Sequence, residues 1–192
     1  MKLAGIFIAL TLALTGVANA EIKEKGGYIG GSLGYGGYKD GNFDGYAKDR
    51  DAVYYGIYGG YKFMKYFALE GRITNMGEYD LQEPGDGPES KIRYDALTIN
   101  GVGILPLGSS NWELMGQLGI GNGRYKVTGE EYADGNETIY SIGAGVRWTP
   151  TPGFTTQFSL DGYKIRLREG TLPEESFSTK LGEARLAFQW NF

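Results

Sequence analysis

Residues 181–192 read LGEARLAFQWNF and carry an apolar side chain at almost every second position. The alternating apolar residues are Ala184, Leu186, Phe188, Trp190 and Phe192. The residues between them are Glu183, Arg185, Gln189 and Asn191, with Ala187 as the exception. A period of two predicts a β-strand with one apolar face and one polar face. At the end of an exported chain, such a strand is typical of a membrane barrel whose apolar side faces lipid.

Residues 1–20 have the features of a cleaved export signal. Lys2 supplies a positive charge, residues 3–17 are largely apolar, and residues 18–20 (Ala-Asn-Ala) form a small-residue cleavage site. The apolar stretch is too short and too interrupted to predict a spanning helix. We therefore expect export through the Sec pathway, cleavage after Ala20, and a single β-barrel domain over residues 21–192.

The composition excludes several chemistries. The chain has no cysteine and no histidine, so it lacks thiolate ligands, the commonest metal ligand and the commonest general base. Barrel hydrolases that activate a serine with histidine are thereby excluded. Without the signal, 18 basic and 23 acidic residues remain, and this excess of acid argues against nucleic acid as a partner. We expect no enzyme activity, no catalytic residue, no cofactor and no metal site.

Eight alternating runs follow the signal. They cover residues 27–35, 53–63, 67–75, 92–105, 112–125, 138–148, 154–166 and 179–192. Long polar connections (36–52, 77–91, 126–137 and 167–178) alternate with short ones (64–66, 106–111 and 150–153). Short turns at one rim and long loops at the other are typical of outer-membrane barrels. The sequence therefore predicts an all-β fold, an eight-stranded antiparallel up-and-down transmembrane β-barrel.

Parity within the runs assigns an outer apolar face and an inner polar face. A charge on the lipid face costs about 2–4 kcal/mol at the bilayer midplane, so the agreement among runs is informative. Asp95 breaks the pattern because it shares the parity of Leu97, which predicts either a bulge or a position above the bilayer. Ile165 and Leu167 also change parity, and a bulge near Gly162 would explain this.

The aromatic residues fall at the two rims of the predicted barrel. Trp112, Trp148 and Trp190 all lie beside short connections, and they predict an aromatic girdle on the periplasmic side. A second group lies toward the long connections and predicts an outer girdle. Its members are Tyr35, Tyr54, Tyr55, Tyr125 and Tyr140.

Six charged residues have inward parity. They are Glu70, Arg72, Glu113, Arg147, Glu183 and Arg185. An eight-stranded barrel is filled by its own side chains, and buried charges must pair or neutralise. The sequence predicts an interior charge network of carboxylates and guanidinium groups that plugs the barrel. An ion path through the same groups is the alternative.

Four segments carry a resemblance to a known family. They are YIGGSLGYG (residues 28–36), FALEGRITN (67–75), SIGAGVRWTP (141–150) and ARLAFQWNF (184–192). With them the chain resembles the small outer-membrane β-barrels of the OmpA/OmpX-like, porin-like superfamily. This resemblance implies the outer membrane of a Gram-negative bacterium. It also implies that Trp190 and Phe192 form a signal for the barrel-assembly machinery.

We expect a structural or surface-interaction role through the long extracellular loops. The expected partners are outer-membrane lipid, lipopolysaccharide and a host or phage surface ligand, with the protein as a monomer. A narrow porin-like channel for small solutes is the alternative function. A soluble periplasmic lipocalin-like barrel is a third, and it requires an apolar interior and a polar exterior.

Overall fold

The computed structural model describes residues 25–39, 51–81, 90–128, 133–151, 153–166 and 178–192. Its strands are β1 (Gly26–Lys39), β2 (Asp51–Met64), β3 (Phe67–Leu81), β4 (Ser90–Pro106), β5 (Trp112–Thr128), β6 (Ala133–Thr151), β7 (Phe154–Arg166) and β8 (Ser178–Asn191). They pair antiparallel in chain order, and β1 pairs with β8 to close the barrel. Closure satisfies the backbone groups of both edge strands, which a sheet in lipid requires. The predicted eight-stranded up-and-down barrel is confirmed.

The two ends of the barrel differ. At the end that we call the turn end, short connections join β2 to β3, β4 to β5 and β6 to β7. Gly108 and Gly153 adopt positive φ there, of 63° and 93°, a region that glycine occupies without strain. The first and last described residues meet at the same end, where the Phe192 N–H donates to the Gly27 carbonyl over 2.9 Å. At the opposite end, the loop end, the strands lead into residues 40–50, 82–89, 129–132 and 167–177, which lie outside the described residues.

Several strands extend further toward the loop end than predicted. β3 runs to Leu81 and β6 begins at Ala133. Most of the predicted loop 126–137 is therefore wrong, because Arg124 pairs with Asn136 and Tyr125 with Gly135. Backbone pairing does not need an apolar face, so the β5–β6 ladder continues where the alternation of apolar residues has stopped.

The predicted bulge near Gly162 is wrong. The β6–β7 register is continuous from Trp148–Thr156 to Thr138–Arg166. Ile165 keeps the inward direction of Tyr163 and is only 2% exposed. The parity of apolar residues changes because the inner face itself becomes apolar near the loop end. Leu167, the other residue of that prediction, lies outside the described residues.

Asp95 remains on the outer face without a bulge in its own strand. The β4–β5 register is continuous past it, and the irregularity lies in β3, between Asn75 and Glu78. Gly77 sits at this irregularity with φ of 81°, and its N–H donates to the side-chain oxygen of Asn75 over 3.2 Å. The Nδ2 of Asn75 in turn donates to Asp95 over 2.5 Å. The bulge alternative thus applies to the neighbouring strand.

The outer face of the barrel is apolar and the inner face is largely polar. Leu118 on the outer face of β5 is 66% exposed, whereas the adjacent Gln117 is 2% exposed. The same inversion holds for Leu160 and Ser159 on β7. A lipocalin-like barrel requires the opposite arrangement. None of the described residues forms a helix that is long and apolar enough to span a membrane.

Candidate functional site

The barrel interior contains eight buried charged side chains among the described residues. The basic ones are Lys62, Arg72, Arg147 and Arg185, and the acidic ones are Glu70, Glu113, Asp161 and Glu183. We call these eight residues the interior charge set. Its formal charges cancel, which is the condition under which ionised groups can be retained away from water.

Arg72 of β3 connects three strands at the centre of this set. Its guanidinium donates to Glu70 from Nη2 over 2.5 Å and from Nε over 3.2 Å. Nη2 also donates to the Gln117 side chain of β5 over 2.8 Å, and Nη1 lies 4.0 Å from Oδ2 of Asp161 on β7. Arg72 is 1% exposed. A planar guanidinium with several donors can hold such acceptors at once, as a lysine could not.

Asp161 is the acceptor that links β5, β7 and β8. Arg185 donates to it from Nε over 2.7 Å, Ser159 donates over 2.9 Å, and Gln117 also donates to it. The Arg185 guanidinium additionally lies over the ring of Tyr58, 6.0 Å from its centroid, where the negative ring face favours a cation. Asp161 is therefore the main anionic partner of Arg185.

A second ionic group lies near the turn end. Nζ of Lys62 is 3.1 Å from Oε1 of Glu113, and Nη1 of Arg147 is 3.7 Å from Oε2 of the same carboxylate. Arg147 also approaches the ring of Tyr28, at 5.9 Å from its centroid. The Glu113 carboxylate thus pairs with two cations. Tyr28 also donates its hydroxyl hydrogen to Glu70 over 3.2 Å.

Glu183 does not form an ion pair with the neighbouring Arg185 of its own strand. Its carboxylate accepts a hydrogen bond from the Tyr163 hydroxyl over 3.0 Å. Gly34 of β1 faces it, and a Cβ at that position would overlap the carboxylate. A glycine is therefore required at this close approach to leave room for the buried acid.

All six charged residues predicted to face inward lie inside the barrel, but their partners differ from a simple ladder. Lys62 and Asp161 complete the set and were not among the predicted six. The alternation of β7 predicts an inward Asp161, on the same face as Ser159, but the predicted network omitted it. Lys62 shares the face of Gly60 and Tyr58, so the same rule could have identified it. A lysine next to a short turn is usually an interfacial residue whose charged end reaches water. For this reason the inward position of Lys62 was not predicted.

The loop-end half of the interior is apolar and aromatic. Its buried residues are Ala52, Tyr54, Met76, Tyr79, Tyr94, Ala96, Ile139, Tyr163, Ile165 and Leu181. We call them the inner apolar cluster. The hydroxyls of Tyr54 and Tyr79 lie 2.7 Å apart within it. Tyr54 is fully buried and Tyr125 packs against the cluster, so the prediction of an outer girdle is wrong for these two residues. Tyr35, Tyr55 and Tyr140 are exposed.

The outer face at the turn end carries the aromatic residues that the sequence singled out. Trp112 and Trp148 are cross-strand partners whose rings stack, with centroids 5.9 Å apart. Trp190 on β8 pairs with Phe154 and is 61% exposed, and Phe192 is exposed beside it. Indole rings on the outer face beside the turns fit the membrane–water interface.

Polar residues replace the apolar ones on the outer face near the loop end. Lys91, Arg93, Arg124 and Lys126 lie exposed on β4 and β5, with Asp95 beside Arg93 at 3.6 Å. Lys164 and Lys180 lie exposed on β7 and β8. Groups of three or more metal-ligating side chains were sought within the described ranges, and none occurs there.

The apolar outer face, the closed sheet and the charge-balanced interior define a transmembrane β-barrel of the smallest common size. A family model for the outer membrane protein beta-barrel domain matches residues 6–192. The chain belongs to this family and is a protein of the outer membrane.

Solved structures show the same fold. Neisserial surface protein A matches with a TM-score of 0.66 and 11% identity, over 88% of this chain and 100% of that chain. The attachment invasion locus protein Ail of Yersinia pestis, in complex with the heparin analogue sucrose octasulfate, matches with a TM-score of 0.60 and 20% identity, over 88% and 100%. The N-terminal β-barrel domain of Pseudomonas aeruginosa OprF has a TM-score of 0.59 and 15% identity, over 88% and 100%. No curated protein matches the chain.

Proposed function

We propose that this protein is a structural and surface-interaction barrel of a Gram-negative outer membrane, which makes its contacts through the four connections at the loop end. The observation that carries the proposal is the filled interior. The interior charge set occupies the middle and turn-end part of the lumen, and the inner apolar cluster occupies the loop-end part. A barrel whose lumen is occupied by its own side chains acts through its surface.

The proposed orientation places the turn end in the periplasm and the loop end outside the cell. Short periplasmic turns and long external loops are the rule for bacterial barrels. The exposed tryptophans at the turn end would then form the periplasmic girdle. The basic residues on the outer strand ends, such as Arg93 and Arg124, would lie at the outer leaflet, where lipopolysaccharide phosphates are found.

The charge of the connections suggests what they contact. Residues 40–50, 82–89, 129–132 and 167–177 contain 11 acidic and 3 basic residues. Ail was crystallised with a sulfated polyanion, but acidic connections would repel such a ligand. We therefore propose a host or phage surface partner with a basic contact face, bound by a monomeric barrel.

Shortening the connections tests this function. Each would be replaced by a two-residue Asn-Gly turn, which closes a hairpin. Cells that display the full chain should adhere to beads coated with lysozyme, a basic protein, and not to heparin-coated beads. The shortened barrel should lose adhesion while it still migrates differently on a gel before and after boiling. Adhesion that survives shortening would refute the role of the connections.

A narrow channel is the second candidate function. The observation that favours it is the buried polar layer around Arg72 and Asp161, which offers charged groups along the barrel axis. Planar-bilayer recordings on the refolded chain separate the two functions. We expect no reproducible conductance steps, and steps of constant size would establish the channel instead.

The routes of export and assembly belong to the same proposal. Residues 1–20 would direct Sec export and be removed after Ala20, and residues 21–192 would form the barrel domain. Trp190 and Phe192 would be read by the barrel-assembly machinery. Their outward exposure at the turn end supports this, since a docking factor must reach them. We also infer that the protein is not an enzyme, because the chain offers no histidine or cysteine.

A further inference from the structure

Lys164 of β7 and Lys180 of β8 are direct cross-strand partners on the outer face. Both side chains are exposed, and neither has a carboxylate partner among the described residues. The two lysines therefore form one row across β7 and β8. Like charges directly opposite each other destabilise a sheet. An anion held between the two ammonium groups would offset this repulsion.

The row marks the boundary of the apolar band. On β7 the outward residues are Phe158, Leu160, Gly162 and then Lys164. On β8 the corresponding residues are Ala184, Gly182 and then Lys180. The ammonium groups therefore lie one position beyond the apolar surface, at the depth where the charged headgroups of the outer leaflet meet the acyl chains.

A groove in the barrel wall begins directly below the lysines. Gly162 lines an open groove of about 500 Å³ together with Lys164 and Lys180, and the walls include Tyr140 and Ile142. Gly182 is the cross-strand partner of Gly162 and lies beside the groove. A Cβ at Gly182 would meet nothing within 4 Å, and one at Gly162 would make only ordinary contact with Ile142. The barrel does not need glycine at these two positions, in contrast to Gly34. The groove exists because side chains are missing from the lipid-facing surface.

We propose that this groove is a binding site for the phosphorylated glucosamine lipid of the outer leaflet, the lipid A part of lipopolysaccharide. One phosphate lies between Lys164 and Lys180, with the Tyr140 hydroxyl within reach of the adjacent sugar. One acyl chain lies in the groove over Gly162, against Ile142. Because a cationic row lies beside an apolar groove, the site favours an anionic amphiphile over either a free anion or a neutral lipid. This inference rests on the proposed orientation, which places the row in the outer leaflet.

Native mass spectrometry on the refolded chain in a non-ionic detergent tests the site. Three probes would be titrated: bisphosphorylated lipid A, the same lipid without phosphates, and inorganic pyrophosphate. We expect one lipid A retained per barrel, at least tenfold weaker retention of the dephosphorylated lipid, and no retained pyrophosphate. Equal retention of both lipids, or retention of pyrophosphate, would overturn the combined headgroup and chain site.

Matched variants separate this groove from general electrostatic attraction. K164Q/K180Q should weaken lipid A retention at least tenfold, whereas K91Q/K126Q removes the same charge from β4 and β5 and should change it less than threefold. Gly162→Leu fills the groove and should also weaken retention, while Gly103→Leu places the same side chain on the outer face of β4 as a control. Equal losses in both members of either pair would refute the site.

The failure of this inference can be told apart from failure of the proposed function. The bead assay depends on the loop-end connections and not on the groove. K164Q/K180Q protein that keeps both its adhesion and its lipid A retention would refute the groove alone. Full-length protein that does not adhere, but retains lipid A, would refute the surface-contact function alone.

Discussion

Arg185 and Asp161 face each other across β7 and β8, with Nε of Arg185 2.7 Å from Oδ2 of Asp161 and neither side chain more than 1% exposed. The same carboxylate accepts from Gln117 and Ser159 and lies 4.0 Å from the guanidinium of Arg72. Asp161 therefore neutralises the centre of the interior charge set.

Removing this carboxylate should be costly. Asp161→Asn leaves Arg185 without an anionic partner and weakens the position of Arg72. Breaking one side of a buried ion pair typically costs about 3–5 kcal/mol. We expect this loss in the free energy of unfolding, measured by urea titration of the barrel refolded in lipid vesicles. Ser159→Ala removes a hydroxyl that donates to Asp161 and accepts from Arg185 but leaves the ion pair in place. It should cost about 1.5–3 kcal/mol, the range of a hydrogen bond to a charged group. If Asp161→Asn lowered the free energy of unfolding no more than Ser159→Ala does, the interior network would be contradicted.

The direction of Ile165 can be tested chemically, because the chain has no native cysteine. Ile165→Cys should place a thiol inside the inner apolar cluster, and Lys164→Cys should place one on the outer face. A buried thiol reacts only after local opening, so we expect a soluble maleimide to label position 164 about 100-fold faster than position 165. The unfolded variants in urea provide the control and should react at similar rates. Faster labelling at position 165 would instead support a bulge near Gly162.

Alternation predicted the outer face well because lipid accepts few polar groups. Leu118 and Gln117 illustrate this, since only one of the two can face hydrocarbon without a large cost. The strand order followed from the same pattern and from the alternation of short and long connections. These features are local, and each is visible in a single strand or turn.

The inner face was less predictable because it has no single chemical rule. Around Arg72 it is charged, whereas around Tyr54 and Ile165 it is apolar, so the contrast between the two faces disappears near the loop end. The choice of Asp161 as the partner of Arg185 depends on the β7–β8 register. That register is a relation between strands, which residue spacing within one strand does not contain.

The tryptophan girdle makes a prediction about depth. Single-tryptophan proteins would keep Trp112, Trp148 or Trp190 and carry phenylalanine at the other two positions. Because all three lie on the outer face at the turn end, lipids brominated near the headgroup should quench each of them more than lipids brominated near the chain end. The unfolded chain in urea should show no difference between the two lipids. Stronger quenching by chain-end bromines at any of the three positions would remove that tryptophan from the girdle.

The proposed assembly signal can be separated from barrel stability by comparing two exposed aromatic residues of the same outward face, Phe188 in β8 and Phe192 directly after it. Phe188 packs against Phe154, with ring centroids 6.2 Å apart, whereas Phe192 lies at the turn end of the barrel seam, where its N–H bonds to Gly27. Phe192→Ala keeps that backbone bond and leaves the Phe154 contact intact. We expect this variant to refold in detergent like the native chain but to reach the outer membrane in severalfold lower amounts in cells.

Phe188→Ala should behave in the opposite way, with lower stability in urea and nearly normal delivery. Both amounts would be measured by outer-membrane fractionation and by the gel shift on boiling. Equal delivery of the two variants would assign Phe192 a structural role only.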